Sequence, residues 1–149
     1  DRLNAFDVTT IGVRYTPSKG GPADKIIGFD EADLNDALVR TDHLVLACPL
    51  TETTEGLVDE EVLQLLPTDA TVTNIARGEV IETDALVDAL QTNKLRGAAL
   101  DVTDPEPLPP ESPLWELQNC QITPHNAGHT PNYWDRCADI VSKAIATQT

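Results

Sequence analysis

TVTNIARGEVIETDALVDALQTNKLRGAALDV, residues 71–102, is a complete strand–helix–strand unit. Residues 71–75 read as a strand, residues 83–90 as a helix that Thr83 can cap, and residues 97–102 as the next strand. The same rhythm runs outward in both directions. Upstream, residues 43–48 (HLVLAC) are a short apolar run ended by Pro49, the pattern of a buried strand. Residues 59–66 read as a helix with acids in its first turn and Pro67 just beyond it. Residues 31–40 carry Leu34, Leu38 and Val39 at helical spacing, and residues 7–13 (DVTTIGV) have the β-branched content of a strand. Downstream, residues 121–123 predict a strand and residues 131–146 a closing helix. Between them, residues 104–113 hold five of the 11 prolines and form a stiff loop, because the strand pattern resumes after it.

Strands alternating with helices imply an α/β fold, a doubly wound parallel sheet of Rossmann-like type with helices on both faces. Such sheets place their ligands outside the carboxyl ends of the strands, so the residues that end the strands carry the functional information.

The 149 residues suit one domain. Asp and Glu number 25 against 10 Lys and Arg, a formal net charge of -15. That balance argues against a nucleic-acid partner, which requires cationic patches. The acids are spread along the chain with no long run, which favours a solvated acidic surface adapted to a salt-loaded cytoplasm over an acidic docking patch. Cys48, Cys120 and Cys137 are an odd number with no metal-ligand spacing, and read as reduced and cytoplasmic. No apolar run approaches the roughly 18 residues of a membrane helix.

Three strand ends deliver ionisable groups to one edge. Arg77 follows the strand at 71–75 and precedes Gly78, which permits a sharp turn; its guanidinium suits a carboxylate held through two parallel hydrogen bonds. Asp101 and Glu106 lie near the tip of the strand at 97–102. His125 follows Pro124 after the strand at 121–123, and histidine titrates near neutrality. Taken singly, these are a solvated arginine, an acidic surface loop and a structural histidine. Together they match the needs of a carbonyl reduction beside a carboxylate: one group to hold the carboxylate, one to protonate the new alkoxide, one to tune that acid. His43 begins its strand, at the wrong edge, whereas His129 is close enough to His125 in sequence to be a rival.

The motifs CPLTETTEGL (48–57), NIARGEVIETDALVDAL (74–90), GAALDVTDPEPLP (97–109) and TPHNAG (123–128) resemble, in order and spacing, the D-2-hydroxyacid dehydrogenase family. The resemblance implies an NAD(P)-dependent oxidoreductase that reduces a 2-keto acid to a D-2-hydroxy acid. It makes Arg77 the carboxylate binder, His125 the acid–base and Glu106 its hydrogen-bonded partner, a carboxylate that favours imidazolium. It makes Asp101 the contact of the nicotinamide amide. Cys48 and Pro49 lie where the family packs the adenosine, Thr54 is a further cofactor-binding residue, and the backbone near Ile75 and Gly128 approaches the nicotinamide. Hydride comes from the cofactor, while the protein supplies orientation and charge. Partners expected on this basis are a small 2-keto or 2-hydroxy acid and a second copy of the chain, with no nucleic acid and no membrane.

Two departures qualify the resemblance. No G-x-G-x-x-G is present, so the first strand and the glycine-rich loop that cradles pyrophosphate are missing. The expected organisation is an incomplete dinucleotide-binding domain over residues 1–130 and, over residues 131–149, a closing helix that in the family returns to a substrate domain. A fragment of this kind is expected to have weak or no activity, and a non-catalytic dinucleotide-binding or dimerising remnant is the alternative. The second departure is Arg14, with Thr16, Ser18 and Lys19 after it. An acid usually stands there for the ribose 2′-hydroxyl, whereas an arginine accommodates a 2′-phosphate, so NADP(H) is expected over NAD(H).

The salt-adapted reading carries its own test. Circular dichroism should show the folded chain in molar salt and its unfolding as salt is dialysed away; full stability in dilute buffer would sink the halophilic assignment.

Overall fold

A computed structural model describes residues 3–146, without the side chains of Asn4 and Glu31. Residues 1–2 and 147–149, at the two ends of the expected domains, lie outside the described residues. Six parallel strands alternate with helices: β1 (Ile11–Val13), β2 (Lys25–Ile27), α1 (Glu31–Leu38), β3 (His43–Leu46), α2 (Glu60–Leu65), β4 (Thr71–Asn74), α3 (Thr83–Gln91), β5 (Gly97–Leu100), β6 (Cys120–Ile122) and α4 (Tyr133–Ala146). β1 pairs with β2, and β3-β4-β5-β6 form a four-stranded sheet in sequence order. This is the expected Rossmann-like α/β arrangement of parallel strands.

The four-stranded sheet aligns its strands in rows. Leu44, Val72, Ala98 and Cys120 form one row, and Leu46, Asn74, Leu100 and Ile122 the row at the carboxyl ends. Both rows point to one face, since side chains two apart along a strand share a face. Under them sits the core, in which Leu63 and Leu66 at α2 meet Leu86 and Leu90 of α3, with Val80, Ile81 and Leu95 from the connections. Burying each of these leucines is worth about 2 kcal/mol, and the strand ends inherit the rigidity of that packing. The opposite face presents Val45, which is 56% exposed.

Helix starts follow local chemistry. Asp59 caps α2 by accepting from the Val62 amide at 2.9 Å, and Asp30 caps α1 from Asp33. Thr83 does not cap α3. Glu82 occupies the N-cap position without a side-chain bond, and the Thr83 hydroxyl instead donates to the Asp104 carbonyl at 2.8 Å. A carbonyl of the loop after β5 competes successfully for that hydroxyl because the loop lies against the start of the helix.

Several boundaries differ from the sequence reading. β1 begins only at Ile11, after Asp7 turns the backbone to a φ of 55°. β2 was not foreseen, because three residues, KII, are too short to show a period. It is registered by Asp24, whose carboxylate accepts from both the amide (2.8 Å) and the hydroxyl (2.7 Å) of Thr10. The Thr10 hydroxyl, more than its amide, holds the Asp24 carboxyl below its ordinary value. No helix of the described residues is long and apolar enough to cross a membrane.

Candidate functional site

Among the described residues, the buried polar or charged side chains are Thr54, Asn74 and Asp101, at 6%, 1% and 6% exposure. They stand after β3, at the end of β4 and just after β5. Each one organises the loop that leaves its strand.

In the loop after β3, the Thr54 hydroxyl donates to the Pro49 carbonyl at 2.7 Å and accepts from the Thr51 amide at 2.8 Å. Its hydrogen-bonding capacity thus goes to its own loop, which sets the path of Pro49. Cys48 is half-buried and packs against the core.

Asn74 was missed by sequence reasoning. Its side-chain amide donates to the Arg77 carbonyl at 2.8 Å, and its side-chain oxygen accepts from the Ala76 amide at 2.9 Å. That closes the turn that carries Arg77. The signal was present in the sequence, since an Asx residue bonding the backbone two residues on is a known turn maker. Gly78 completes the turn: a Cβ there would overlap the carbonyl group of Thr103, so only glycine lets the Arg77 turn lie against the loop that leads to Glu106. Arg77 itself is exposed, with Nη1 donating to the Ala76 carbonyl at 2.6 Å, and Ile75 beside it is exposed too.

Asp101 reaches across to the β6 loop. Oδ1 accepts from the Thr123 hydroxyl at 2.6 Å and the Asn126 amide at 2.9 Å, and Oδ2 from the Ala127 amide at 2.8 Å. Burial alone would push this carboxyl up; the Thr123, Ala127 and Asn126 bonds outweigh it, aided by the charge of His125, and hold it below its ordinary value. His125 sits inside the clamped loop at a φ of 50°. Left-handed backbone costs a non-glycine residue about 1–2 kcal/mol. Hydrogen bonds to a charged group are worth about 1.5–3 kcal/mol each, so three of them offset the strain.

The loops bring Glu106 and His125 together. Nδ1 of His125 lies 2.8 Å from Oε1 of Glu106, with the two side chains 45% and 43% exposed. An ionised carboxylate only accepts, so Nδ1 donates to it and Nε2 is the ring nitrogen left for a substrate. His129 instead makes a tilted ring contact with Tyr133, with ring centroids 5.6 Å apart, and His43 pairs with Thr71 at the amino end of β3. Gly128 has open space on its Cα, and Arg14, at the carboxyl end of β1, donates from Nη1 to the Gly20 carbonyl with half-buried Thr16 two residues on. A cavity of about 350 Å³, lined by Thr71, Thr73, Gly97, Ala99 and Gln121, lies toward the amino ends of the strands and away from these groups.

The fit to a dinucleotide can be judged from these positions. The exposed Ile75 and a buried anionic acceptor at Asp101 lie at the carboxyl ends of β4 and β5, and Gly128, with open space on its Cα, lies in the loop beyond β6, on the side of a parallel sheet where dinucleotides bind. Arg14, on its own strand end, is a cation at the same carboxyl-end side of its strand.

Comparison with known proteins identifies the family. Residues 1–127 match the family model described as "D-isomer specific 2-hydroxyacid dehydrogenase, NAD binding domain". A glyoxylate reductase of Thermofilum pendens is 36% identical over 145 residues, covering 97% of this chain and 42% of its own length. A probable 2-hydroxyacid dehydrogenase of Rhizobium etli, solved with NADP, superposes with a TM-score of 0.80 at 32% identity, covering 99% of this chain and 47% of that one. An NADPH-dependent glyoxylate/hydroxypyruvate reductase of Sinorhizobium meliloti, solved with NADP and malonate, has a TM-score of 0.80 at 31% identity, covering 94% and 42%. The chain spans about two-fifths of the length of the curated relatives it matches.

Gly78→Ala tests the turn. It should lower unfolding stability by about 3 kcal/mol, measured by chemical denaturation, because a new methyl meets backbone that has no room to give. A change below about 0.5 kcal/mol would show that the two loops are not tightly apposed.

Proposed function

Because this chain belongs to the D-isomer specific 2-hydroxyacid dehydrogenases, we propose that it is the cofactor-binding part of a reductase that converts a small 2-keto acid, of the glyoxylate or hydroxypyruvate class, to a D-2-hydroxy acid. The observation that carries this reading is the Glu106–His125 pair at 2.8 Å, with the Arg77 turn lying against the loop that leads to Glu106.

In this reading Arg77 turns its guanidinium from the Ala76 carbonyl to the substrate carboxylate, exchanging one hydrogen bond for two parallel, charge-assisted ones. His125 gives the proton on Nε2 to the carbonyl oxygen as it gains negative charge. Glu106 holds the opposite nitrogen, which fixes the ring's tautomer and stabilises the imidazolium that must be present before transfer. When bound, the nicotinamide supplies the hydride. Asp101, Ile75 and Gly128 would hold its amide end, and Cys48, Pro49 and Thr54 the adenosine side.

The cofactor is NADP(H) in preference to NAD(H). Supporting this are Arg14 on its strand end, Thr16 two residues on and the NADP bound by two solved relatives. Residues 1–130 are an incomplete dinucleotide-binding domain in this proposal. Among the described residues, β1 and β3 each pair on one side only, which suits a further parallel strand between them. Residues 131–149 are the segment that returns to a substrate domain in this proposal, and α4 (Tyr133–Ala146) is its closing helix. Exposed Trp134, Ile140, Val141 and Ile145 give α4 an apolar character that a second domain would cover.

Two measurements test the proposal. With a polypeptide that contains this chain and reduces glyoxylate, His125→Asn should lower turnover by about 10²–10⁴-fold while circular dichroism stays unchanged; unchanged turnover would point to a scaffold. NADPH should bind about tenfold more tightly than NADH by fluorescence titration, and Arg14→Ala should abolish the difference. Tighter NADH binding would overturn the cofactor assignment.

A further inference from the structure

We propose that Asp101 is a positioning residue for His125, its carboxylate clamping the β6 loop so that the imidazole meets Glu106. The inference rests on the reading of His125 as proton donor and deepens it.

Four observations carry it. The carboxylate of Asp101 is buried at the tip of β5, while residues 123–130 are all exposed, so no apolar packing places the loop. The backbone bonds of the loop, His125 to the Thr123 carbonyl and His129 to the Asn126 carbonyl, are local and tie it to itself. The last ladder bond to the sheet is from the Thr123 amide to Leu100, and beyond it the carboxylate of Asp101 receives the Asn126 and Ala127 amides. His125 is held between those anchors with left-handed backbone, a conformation it would leave if released.

The order of cause follows from exposure. Glu106 and His125 are both nearly half exposed, and an ion pair in that setting is too screened to order a loop. The three bonds to Asp101 are shielded and charge-assisted. The clamp therefore sets the place of the ring, and the contact with Glu106 is its consequence. A contact with the nicotinamide amide remains compatible, because Oδ2 accepts one bond and a carboxylate oxygen can accept two.

The test needs no turnover, so failure of the reductase reading and failure of the clamp are separable. In the ¹⁵N-labelled 149-residue chain, the Asn126 and Ala127 amides should be protected from hydrogen exchange. Asp101→Asn should speed exchange at both by at least tenfold and move the His125 Nδ1 resonance to its position in Glu106→Gln, leaving His43 and His129 unmoved. Glu106→Gln alone should leave both amides protected. Thr123→Val, which removes one bond at an exposed residue and keeps the charge, should shift the same signals in the same direction by less, and it carries the test if Asp101→Asn does not fold. The proposal is overturned if Asp101→Asn, or Thr123→Val in its place, leaves the amides and the His125 signal unchanged. It is equally overturned if Glu106→Gln by itself frees the amides.

Discussion

Parallel strands that end together leave their last backbone groups at one edge, partly buried and without ladder partners. Such groups must be satisfied, because a buried unpaired N–H or C=O costs about as much as a lost hydrogen bond. In this protein Asn74 and Asp101 answer that need from adjacent strand ends, and their own backbones are joined, the Asp101 amide donating to the Asn74 carbonyl at 2.9 Å. From that junction one side chain closes the turn bearing Arg77 and the other clamps the loop bearing His125. No described buried side-chain polar atom is left without a partner. Polar satisfaction at the strand ends and the placing of the candidate catalytic groups are therefore one constraint.

The apolar core serves that junction. Val72 and Ala98 stand side by side one row behind the strand ends, and α2 and α3 press the sheet from beneath. A shift of one residue in register would turn Asn74 to the other face and take Arg77 with it. Burial also has a quieter effect at the sheet's far strand, where it pushes the Cys120 thiol up and so disfavours its reactive thiolate.

Function on this scaffold is a matter of charge placed by geometry. The chain is strongly acidic, yet its candidate site is built around a few cations and one proton donor: Arg77, Arg14 and His125. Each stands at or just past the carboxyl end of a strand, the edge at which open parallel sheets bind their ligands. Surface acidity and site chemistry are thus separable features, one set by overall composition and the other by three loops.

The sequence by itself determined the alternation of strands and helices, the family, and the residue types that end the strands, because periodicity and motif spacing are local and survive in one dimension. It also carried Arg77, Glu106 and His125 as candidates. Short β2 escaped it, as did the capping of α3, where Thr83 turned out to serve the Asp104 carbonyl. What only the tertiary structure decided is which side chains hold the loops. Asp101 meets the amides of residues 126 and 127, and Gly78 meets Thr103, across a separation of about 25 residues in each case. Those partners are chosen by the register of parallel strands joined through long crossovers, and no local pattern in the chain records that register.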